Sequence, residues 1–283
     1  MLAVREIYVS DIIKAVKTLC IDANYYLSKD IKNKLEQSLE EETWPIAKDV
    51  LGKLLVNAEI AELESVPMCQ DTGMACVFVS IGQDVHIVGG FLEEAINQGV
   101  RQGYKDGYLR KSVVKDPLNR VNTGDNTPAV IYYEIVPGNK LKIVVAPKGF
   151  GSENMSKIKM LKPSDGIEGV KKFILETVKE AGPNPCPPTI IGVGIGGTFD
   201  KVAVLAKKAL LRPINEDNKN VFYADLEKEL LEKINESGIG PQGFGGKTTS
   251  LGINIEVYPT HIAGLPVAVN VSCHATRHAE IIM

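Results

Sequence analysis

Three cysteines of this sequence lie in segments that can present a thiol to a site. Cys69 lies in a turn-forming run, Cys186 is flanked by prolines, and Cys273 follows the alternating apolar run 265–271. Ends of strands in mixed α/β sheets are where sites usually form. We therefore treat the three thiols, which are far apart in the sequence, as parts of one candidate site.

The spacing of these thiols favours a cluster over a single metal ion. Structural zinc sites usually come from close Cys-x-x-Cys pairs, and the sequence contains no such pair. Widely spaced soft ligands are typical of an iron–sulfur cluster. Three cysteines leave one iron of a four-iron cluster without a protein thiolate, and that iron can act as a Lewis acid on a substrate hydroxyl or carboxylate.

The residues that follow Cys69 suit the same site. Gln70, Asp71 and the threonine after them supply an amide, a carboxylate and a hydroxyl, which can orient a substrate and transfer protons. The run Asp-Thr-Gly is also favourable turn chemistry without any functional role. Cys20 and Cys76 fall in a predicted helix and a predicted strand, and we expect them to be buried core thiols.

A mixed α/β fold is predicted for the elements that must position these residues. Residues 1–64 show the apolar spacing of successive helices, the rest of the chain mixes strands and helices, and we expect one catalytic domain over 1–283. The predicted strands are 74–81, 86–90, 189–197, 250–258 and 265–271, and the predicted helices after residue 64 are 91–109, 165–181, 199–211 and 225–234. A hairpin of 131–136 with 141–146 is predicted around Pro137-Gly138-Asn139.

Composition and charge argue against two classes of partner. The formal net charge is −3 and no long basic block is present, which argues against nucleic acid. No apolar run approaches the roughly 20 residues that a membrane span needs. The N-terminus carries charge where a signal peptide has its apolar core, so we expect a cytoplasmic protein whose five cysteines are not paired in disulfides.

Five motifs occur in order along the chain. They are Met68-Cys-Gln-Asp-Thr-Gly73, Asn122-Thr-Gly-Asp-Asn-Thr-Pro128, Gly151-Ser-Glu-Asn154, Gly194-Ile-Gly-Gly-Thr-Phe199 and Ser272-Cys-His-Ala-Thr-Arg277. Together they resemble the class I, iron–sulfur-dependent fumarases and L-tartrate dehydratases. The resemblance is to the N-terminal region of the one-chain enzymes or to the α subunit of the two-chain enzymes, and it implies the mixed α/β fold of that subunit.

The resemblance implies a [4Fe-4S] cluster held by Cys69, Cys186 and Cys273. It also implies reversible trans addition of water to the double bond of a four-carbon dicarboxylate. Fumarate hydratase, a hydro-lyase, is therefore the first expectation, and L(+)-tartrate dehydratase is the alternative. The two substrates differ by one hydroxyl, and nothing in this sequence discriminates between them.

Two catalytic residues are expected by the same resemblance. Asp71, with Gln70 beside it, matches a carboxylate and an amide that line the substrate site of the family. His261 matches a histidine twelve residues before the third cysteine. A histidine near a charged cluster can move protons around neutral pH, although His261 could instead be a hydrogen-bonded core residue after a strand.

Two further residues are expected to bind substrate. Arg110 is the nearest match for an arginine of the family that binds a substrate carboxylate, and Arg101 lies close by. The planar guanidinium of arginine offers a donor fork that suits a carboxylate. Gly151 matches a backbone contact near the substrate.

A separate β subunit is the expected partner of this chain, besides the small dicarboxylate substrate. The family's catalytic threonine and its further carboxylate-binding Arg and Lys groups lie in a second region. The sequence ends at Met283 without that region. We therefore expect an α subunit whose β subunit supplies the general base.

Two other functions remain open. Gly192-x-Gly194-x-x-Gly197 satisfies the dinucleotide fingerprint, which would suit an NAD-dependent oxidoreductase, although no first βαβ unit with this motif opens the domain. A non-catalytic iron–sulfur protein such as an electron carrier would usually have four protein ligands and a closed cluster. Gly246-Lys247-Thr248 resembles the end of a P-loop, but Pro241 stands where the first glycine is required.

Overall fold

The computed structural model of the protein describes residues 4–283. Its helices are α1 (Val9–Tyr25), α2 (Lys29–Glu41), α3 (Pro45–Glu64), α4 (Leu92–Asp106), α5 (Phe150–Glu153), α6 (Gly166–Ala181), α7 (Phe199–Ala209) and α8 (Val221–Asn235). Its strands are β1 (Arg5–Tyr8), β2 (Met74–Gly82), β3 (Val85–Val88), β4 (Val130–Val136), β5 (Leu141–Lys148), β6 (Lys157–Leu161), β7 (Thr189–Gly196), β8 (Ser250–Tyr258), β9 (Leu265–Ser272) and β10 (Ala279–Ile282). The predicted mixed α/β class and the helical N-terminal part are confirmed.

Two compact units make up the chain. The first comprises the residues up to Leu27, Asn57–Gly149 and Arg277–Met283, and the second comprises Ser28–Val56 and Phe150–Thr276. Helix α3 contributes to both, because the division falls at Val56. None of the helices within residues 4–283 is both long and apolar enough to cross a membrane.

The first unit is built on a four-stranded sheet in the order β10-β5-β2-β4. Strand β2 is antiparallel to β5 and parallel to β4. Helices α1 and α4 cover one face, where Val77 and Val79 of β2 meet Val16 and Ile96 in the core. A sheet with one face against helices needs apolar residues at alternate positions, which this strand supplies.

The predicted hairpin of 131–136 with 141–146 is wrong. Strands β4 and β5 do form, but each pairs with β2, which lies between them. Five consecutive residues of β2, 75–79, are buried, so the backbone of this strand needs a hydrogen-bonded neighbour on both edges. The turn after β4 crosses the end of β2, where Gly82 N donates to Lys140 O at 2.8 Å.

The second unit is built on a sheet in the order β6-β9-β7-β8. Strand β7 is antiparallel to β9 and parallel to β8. Helices α6 and α8 cover one face, where Ile174 and Leu230 pack against Ile191 and Val269. Helix α7 covers the other face.

The glycines of the dinucleotide-like motif bring α7 close to β7. A Cβ at Gly192 would lie 2.1 Å from the carbonyl oxygen of Ala206, and a Cβ at Gly194 would lie 2.2 Å from that of Val202. Both glycines lie inside the strand rather than in a turn between strand and helix. The first two glycines of the motif therefore serve helix packing and do not form the phosphate-binding turn that they form in a dinucleotide site.

Glu42 fastens the corner between α2 and α3 within the second unit. It is 3% exposed, and its carboxylate accepts hydrogen bonds from Thr43 N at 2.8 Å, Trp44 N at 2.9 Å and Lys247 N at 2.7 Å. Burial by itself would raise the pKa of Glu42, but the three N–H donors outweigh it and lower the pKa below its ordinary value. Trp44 adds a hydrogen bond from Nε1 to Phe244 O at 3.1 Å.

We expect Glu42→Gln to lower the free energy of unfolding by about 1–3 kcal/mol at pH 7, because an amide cannot satisfy all three donors. The contribution of Glu42 is present above the unfolded pKa, near 4.5. It is lost as the pH falls through the lowered folded pKa. The difference between the variant and the wild type should therefore shrink toward pH 3.

Urea unfolding followed by the fluorescence of Trp44, the one tryptophan of the sequence, measures this effect. Glu40→Gln is the matched control, because Glu40 is exposed in the last turn of α2, two residues before Glu42. Equal urea midpoints for the two variants at pH 7 would contradict the assigned role of Glu42.

Candidate active site

The loop that joins α3 to β2 carries Cys69 and the two residues after it. Cys69 is partly buried, whereas Gln70 is exposed. Met68 fixes the start of the loop, since its N–H donates to Asn24 O at 3.0 Å and its carbonyl accepts from Asn57 Nδ2 at 2.8 Å. The cysteine is therefore carried by an anchored backbone, although it lies in neither helix nor strand.

The carboxylate of Asp71 lies against backbone groups of the first unit. The side-chain Oδ1 of Asp71 accepts a hydrogen bond from Gly73 N at 3.0 Å. The backbone carbonyl oxygen of Asp71 accepts a hydrogen bond from the guanidinium of Arg277. A Cβ at Gly149 would lie 3.0 Å from Asp71 Oδ2. The position of this carboxylate therefore depends on the absence of a side chain at Gly149, a residue that the sequence does not single out.

Arg110 is fixed beside the loop through its backbone. The Oγ1 of buried Thr72 donates to Arg110 O at 3.3 Å and accepts from Arg110 N at 2.9 Å, while the Arg110 side chain is exposed. Arg101, the other candidate, is ion-paired with Asp125 at 2.9 Å and with Glu94 at 3.6 Å. Because the guanidinium of Arg101 is engaged, Arg110 is the better candidate for binding a substrate carboxylate.

Asp125 is held in its charged form by these contacts. Burial by itself would raise the pKa of Asp125, but hydrogen bonds from Arg101 and Thr127 lower it to about 2. The turn motif that contains Asp125 therefore keeps a fixed negative charge that binds Arg101. The ion pair with Asp125 gives Arg101, the alternative to Arg110, a structural role.

Two buried side chains, Tyr104 and Asn126, satisfy the carbonyl groups at the end of the loop. The Tyr104 hydroxyl lies 2.8 Å from Thr72 O and 3.0 Å from Gly73 O, and burial raises its pKa, so it stays a neutral donor. Asn126 Nδ2 donates to Gly73 O at 3.2 Å, and its Oδ1 accepts from the N–H groups of residues 112–113 at 2.7 and 3.2 Å. The turn motif that contains Asn126 thus braces the loop that carries Asp71.

We expect Asn126→Ala to lower the free energy of unfolding by about 3 kcal/mol, because it leaves buried backbone groups unpaired and places alanine at φ +63°. Asn126→Gly should cost about 1 kcal/mol less, since glycine adopts positive φ readily. Urea unfolding followed by circular dichroism measures both. Asn119→Ala, at an exposed position in the same connection, is the control, and an equal loss in all three variants would contradict the bracing role.

Cys186 and Cys273 lie at the same end of the second sheet. Cys186 precedes β7 and Cys273 follows β9, and the antiparallel register pairs Ile190 with Ser272 at that end. His274 links the two segments, because its N–H and its Nδ1 lie 3.5 and 3.1 Å from Cys186 O. The structure therefore brings these two predicted ligand segments together within one unit.

The five cysteines differ in accessibility. Cys186 is exposed, Cys69 and Cys273 are partly buried, and none of the five forms a disulfide. Cys20 and Cys76 are buried core thiols as predicted, and burial raises the pKa of Cys20. Cys186 has φ +57°, a left-handed conformation that residues other than glycine rarely adopt. Such strain persists only where surrounding contacts over-determine it, and it is common at functional sites.

Gly151 lies in α5, at the same end of the second sheet as these two cysteines. Helix α5 precedes β6, whose first residue, Lys157, pairs with Val269 near the end of β9. Glu153 of α5 accepts a hydrogen bond from Asn270 Nδ2 at 2.7 Å. The space where a Cβ of Gly151 would lie is open, so the backbone of this residue is accessible.

His261 lies at the opposite end of that sheet, in the loop between β8 and β9. It is exposed, and its Nδ1 accepts a hydrogen bond from Ala263 N at 3.2 Å, so it is not a buried core residue. Strands rise about 3.3 Å per residue, and the eight residues of β7 therefore separate the two ends by roughly 25 Å. The second unit does not bring His261 together with Cys186 and Cys273.

The thiols suit a soft-metal cofactor by their chemistry. Among residues 4–283, no group of three or more His, Cys, Asp and Glu side chains is arranged to hold a metal ion. The first unit contains Cys69, and the second contains Cys186 and Cys273. All three are in loops at strand ends, outside disulfides and at least partly accessible, which fits residues that would ligate a cluster.

Known proteins resemble this chain over most of its length. A family model described as fumarate hydratase (Fumerase) matches residues 13–282. A Methanocaldococcus jannaschii protein provisionally named L(+)-tartrate dehydratase subunit alpha is 46% identical over 265 residues, which cover 91% of this chain and 92% of that protein. The L(+)-tartrate dehydratase subunit alpha of Escherichia coli K12 is 35% identical over 258 residues, which cover 90% and 84%. The Shigella sonnei protein of the same name gives the same values.

Proposed function

Because the chain belongs to the fumarate hydratase (Fumerase) family, we propose that it is the cluster-bearing α subunit of a two-subunit hydro-lyase that acts on a four-carbon dicarboxylate. The observation that carries this proposal is the family match over residues 13–282. The relatives are named as alpha subunits, which supports a separate β subunit as the partner of this chain. The general base is expected on that subunit.

L(+)-tartrate is the first proposed substrate, and fumarate is the second. This order reverses the expectation from the motifs alone, because the relatives at 35–46% identity are named for tartrate. The description of the family model as fumarate hydratase favours the second candidate. Both substrates carry two carboxylates, so the same charged groups of this chain would serve either.

The proposed cofactor is a [4Fe-4S] cluster with Cys69, Cys186 and Cys273 as its ligands. When bound, such a cluster supplies a Lewis acid at the iron that has no protein thiolate. The cysteines contribute thiolates from loops that other residues anchor. This donor set also disfavours an electron carrier, which would usually have a fourth protein ligand.

Groups of the first unit are proposed to bind and orient the substrate. The exposed guanidinium of Arg110 would hold a carboxylate through paired N–H donors, and the Gln70 amide would hydrogen-bond a second polar group. Asp71, whose carboxylate is oriented by Gly73 N, would polarise the hydroxyl base that is expected on the β subunit. The accessible backbone of Gly151 in the second unit would donate a further hydrogen bond.

Iron and acid-labile sulfide after anaerobic reconstitution test the cofactor. We expect about four of each per chain in the wild type, and we expect Cys273→Ser to lose the cluster, because a hydroxyl is a poor ligand for iron in such clusters. Cys76→Ala, which removes a buried core thiol, should retain it. Full iron content in Cys273→Ser would rule out this ligand.

Absorption spectra of the reconstituted chain with L(+)-tartrate or (S)-malate test the substrate order. We expect L(+)-tartrate to shift the cluster absorption more, and at a lower concentration, than (S)-malate does. A substrate should reach the open iron, and the relatives are named for tartrate. A response to (S)-malate alone would make fumarate hydration the function, and a response to neither would contradict the open-iron proposal.

Turnover of the assembled enzyme separates the two proposed catalytic residues. Asp71→Asn should lower kcat by about 10²–10⁴-fold at unchanged iron content, because a neutral amide polarises the hydroxyl base less strongly than a carboxylate does. His261→Asn is expected to lower turnover while the cluster is kept, and this role rests on the motif resemblance alone. Unchanged turnover would remove His261 from the mechanism, in keeping with its place at the far end of the sheet.

A further inference from the structure

The glycine-rich loop 238–249 joins α8 to β8 and has no part in the proposed function so far. The sequence of this loop resembles the end of a phosphate-binding loop, but backbone N–H groups of the loop form hydrogen bonds with other residues of the same loop. Gly240 N donates to Thr249 Oγ1 at 3.1 Å, and Gly245 N donates to Ile239 O at 2.9 Å. A loop with such internal hydrogen bonds holds a defined shape and can position a side chain.

The corner between α2 and α3 fastens this loop. Lys247 N donates to Glu42 Oε2 at 2.7 Å, and Trp44 Nε1 donates to Phe244 O at 3.1 Å. A Cβ at Gly246 would lie 2.7 Å from Glu42 Oε2, so the loop backbone packs directly against the carboxylate. The loop is therefore fixed at several points of the second unit.

Gln242 lies in the middle of the loop and contacts both cysteine segments. Its N–H and its Nε2 donate to Pro187 O at 2.8 and 2.7 Å, and Nε2 also lies 3.3 Å from His274 Nδ1. Pro187 directly follows Cys186, and His274 directly follows Cys273. One side chain thus contacts the residue after each of two proposed ligands.

The backbone of Gln242 is in an uncommon conformation. Its φ is +53°, in the left-handed region that favours glycine. The loop holds a glutamine there, and the two donors of that residue converge on one carbonyl group. A strained residue with converging hydrogen bonds is typical of a position whose geometry serves a site.

We propose that Gln242 is a positioning residue that sets the separation of the Cys186 and Cys273 segments, an inference that rests on the proposed cluster ligation. The amide acts through the carbonyl of Pro187 and the ring of His274. Groups that orient ligand-bearing segments commonly change metal affinity by about 10–100-fold when they are removed. Retention of the cluster should therefore depend on this amide.

Gln242→Glu and Gln242→Met test the proposal in the full chain. The first replaces the Nε2 donor by an acceptor of the same shape, and the second removes hydrogen bonding at similar length. Gln83→Glu is the control, because it makes the same charge change at an exposed turn. Each variant is reconstituted anaerobically, and the loss of cluster absorbance to an iron chelator is timed. Melting of the cluster-free chains shows whether the fold is kept.

We expect both Gln242 variants to lose the cluster about 10–100-fold faster than the wild type. We also expect their melting temperatures to lie within about 5 °C of the wild type, and Gln83→Glu to behave as the wild type. Wild-type rates of cluster loss in both Gln242 variants would overturn the proposal. Should Gln242→Glu melt at a much lower temperature, the rate for Gln242→Met decides.

Hydrogen exchange of the cluster-free chains separates failure of this inference from failure of the proposed function. Peptides that cover 183–190 and 270–276 should exchange at least about 10-fold faster in both Gln242 variants, while peptides of the first unit stay unchanged. If the wild type takes up no iron, the cluster proposal fails, and the exchange result alone decides the role of Gln242. Unchanged exchange in both peptides would overturn it.

Discussion

The carbonyl groups of Asp71, Thr72 and Gly73 impose the constraint on which the candidate site of the first unit depends. They lie in an irregular loop, where no helix or sheet supplies their hydrogen bonds, and buried carbonyl groups need donors from elsewhere. Arg277, Tyr104 and Asn126 supply those donors. The loop is thereby held by side chains from three separate parts of the chain, which fixes Asp71 without placing it in a regular element.

The second unit meets the same constraint in a different way. The segment around Cys186 is rich in proline, so it has few N–H groups of its own, and its carbonyl groups are reached from other loops. Gln242 donates to Pro187, and His274 approaches the carbonyl of Cys186. Hydrogen bonds to Glu42 and Trp44 hold the glycine-rich loop in the position from which Gln242 reaches Pro187. Its glycine content reflects close backbone contact rather than phosphate binding.

The two faces of the second sheet differ in composition: one face is apolar, and the other carries polar side chains near the proposed ligands. One face carries the branched apolar core under α6 and α8, which needs no polar group. The other face has small residues under α7 and then polar ones near the Cys273 end, where Asn270 binds Glu153 and Glu153 also pairs with Lys207 at 2.5 Å. The hydrogen bond from Asn270 ties α5, and with it Gly151, to the end of the sheet that holds two of the proposed ligands, and the partly buried ion pair ties α5 to α7. A hydro-lyase needs such fixed groups, because its rate depends on how well they are oriented before the reaction.

The sequence by itself determined most of the longer helices and strands, the family motifs and the distinction between core and accessible thiols, but it did not indicate the short strands β1, β6 and β10. Local periodicity and turn chemistry suffice to predict such features, because the features depend on neighbours a few residues apart in the sequence. The helix Gly166–Ala181 and the strand Ser250–Tyr258, for example, lie within one residue of their predicted ranges. Tertiary structure alone decided that β2 lies between β4 and β5, because strand order depends on which distant strand satisfies each edge. It also decided that Cys186 and Cys273 share one end of a sheet while His261 lies at the other. The reason is that the pairing of β7 with β9 fixes which loops lie at the same end of the sheet, and the sequence does not show this pairing. Tyr104 and Gln242 became recognisable only there: a donor that serves a distant carbonyl group leaves no pattern in its own segment.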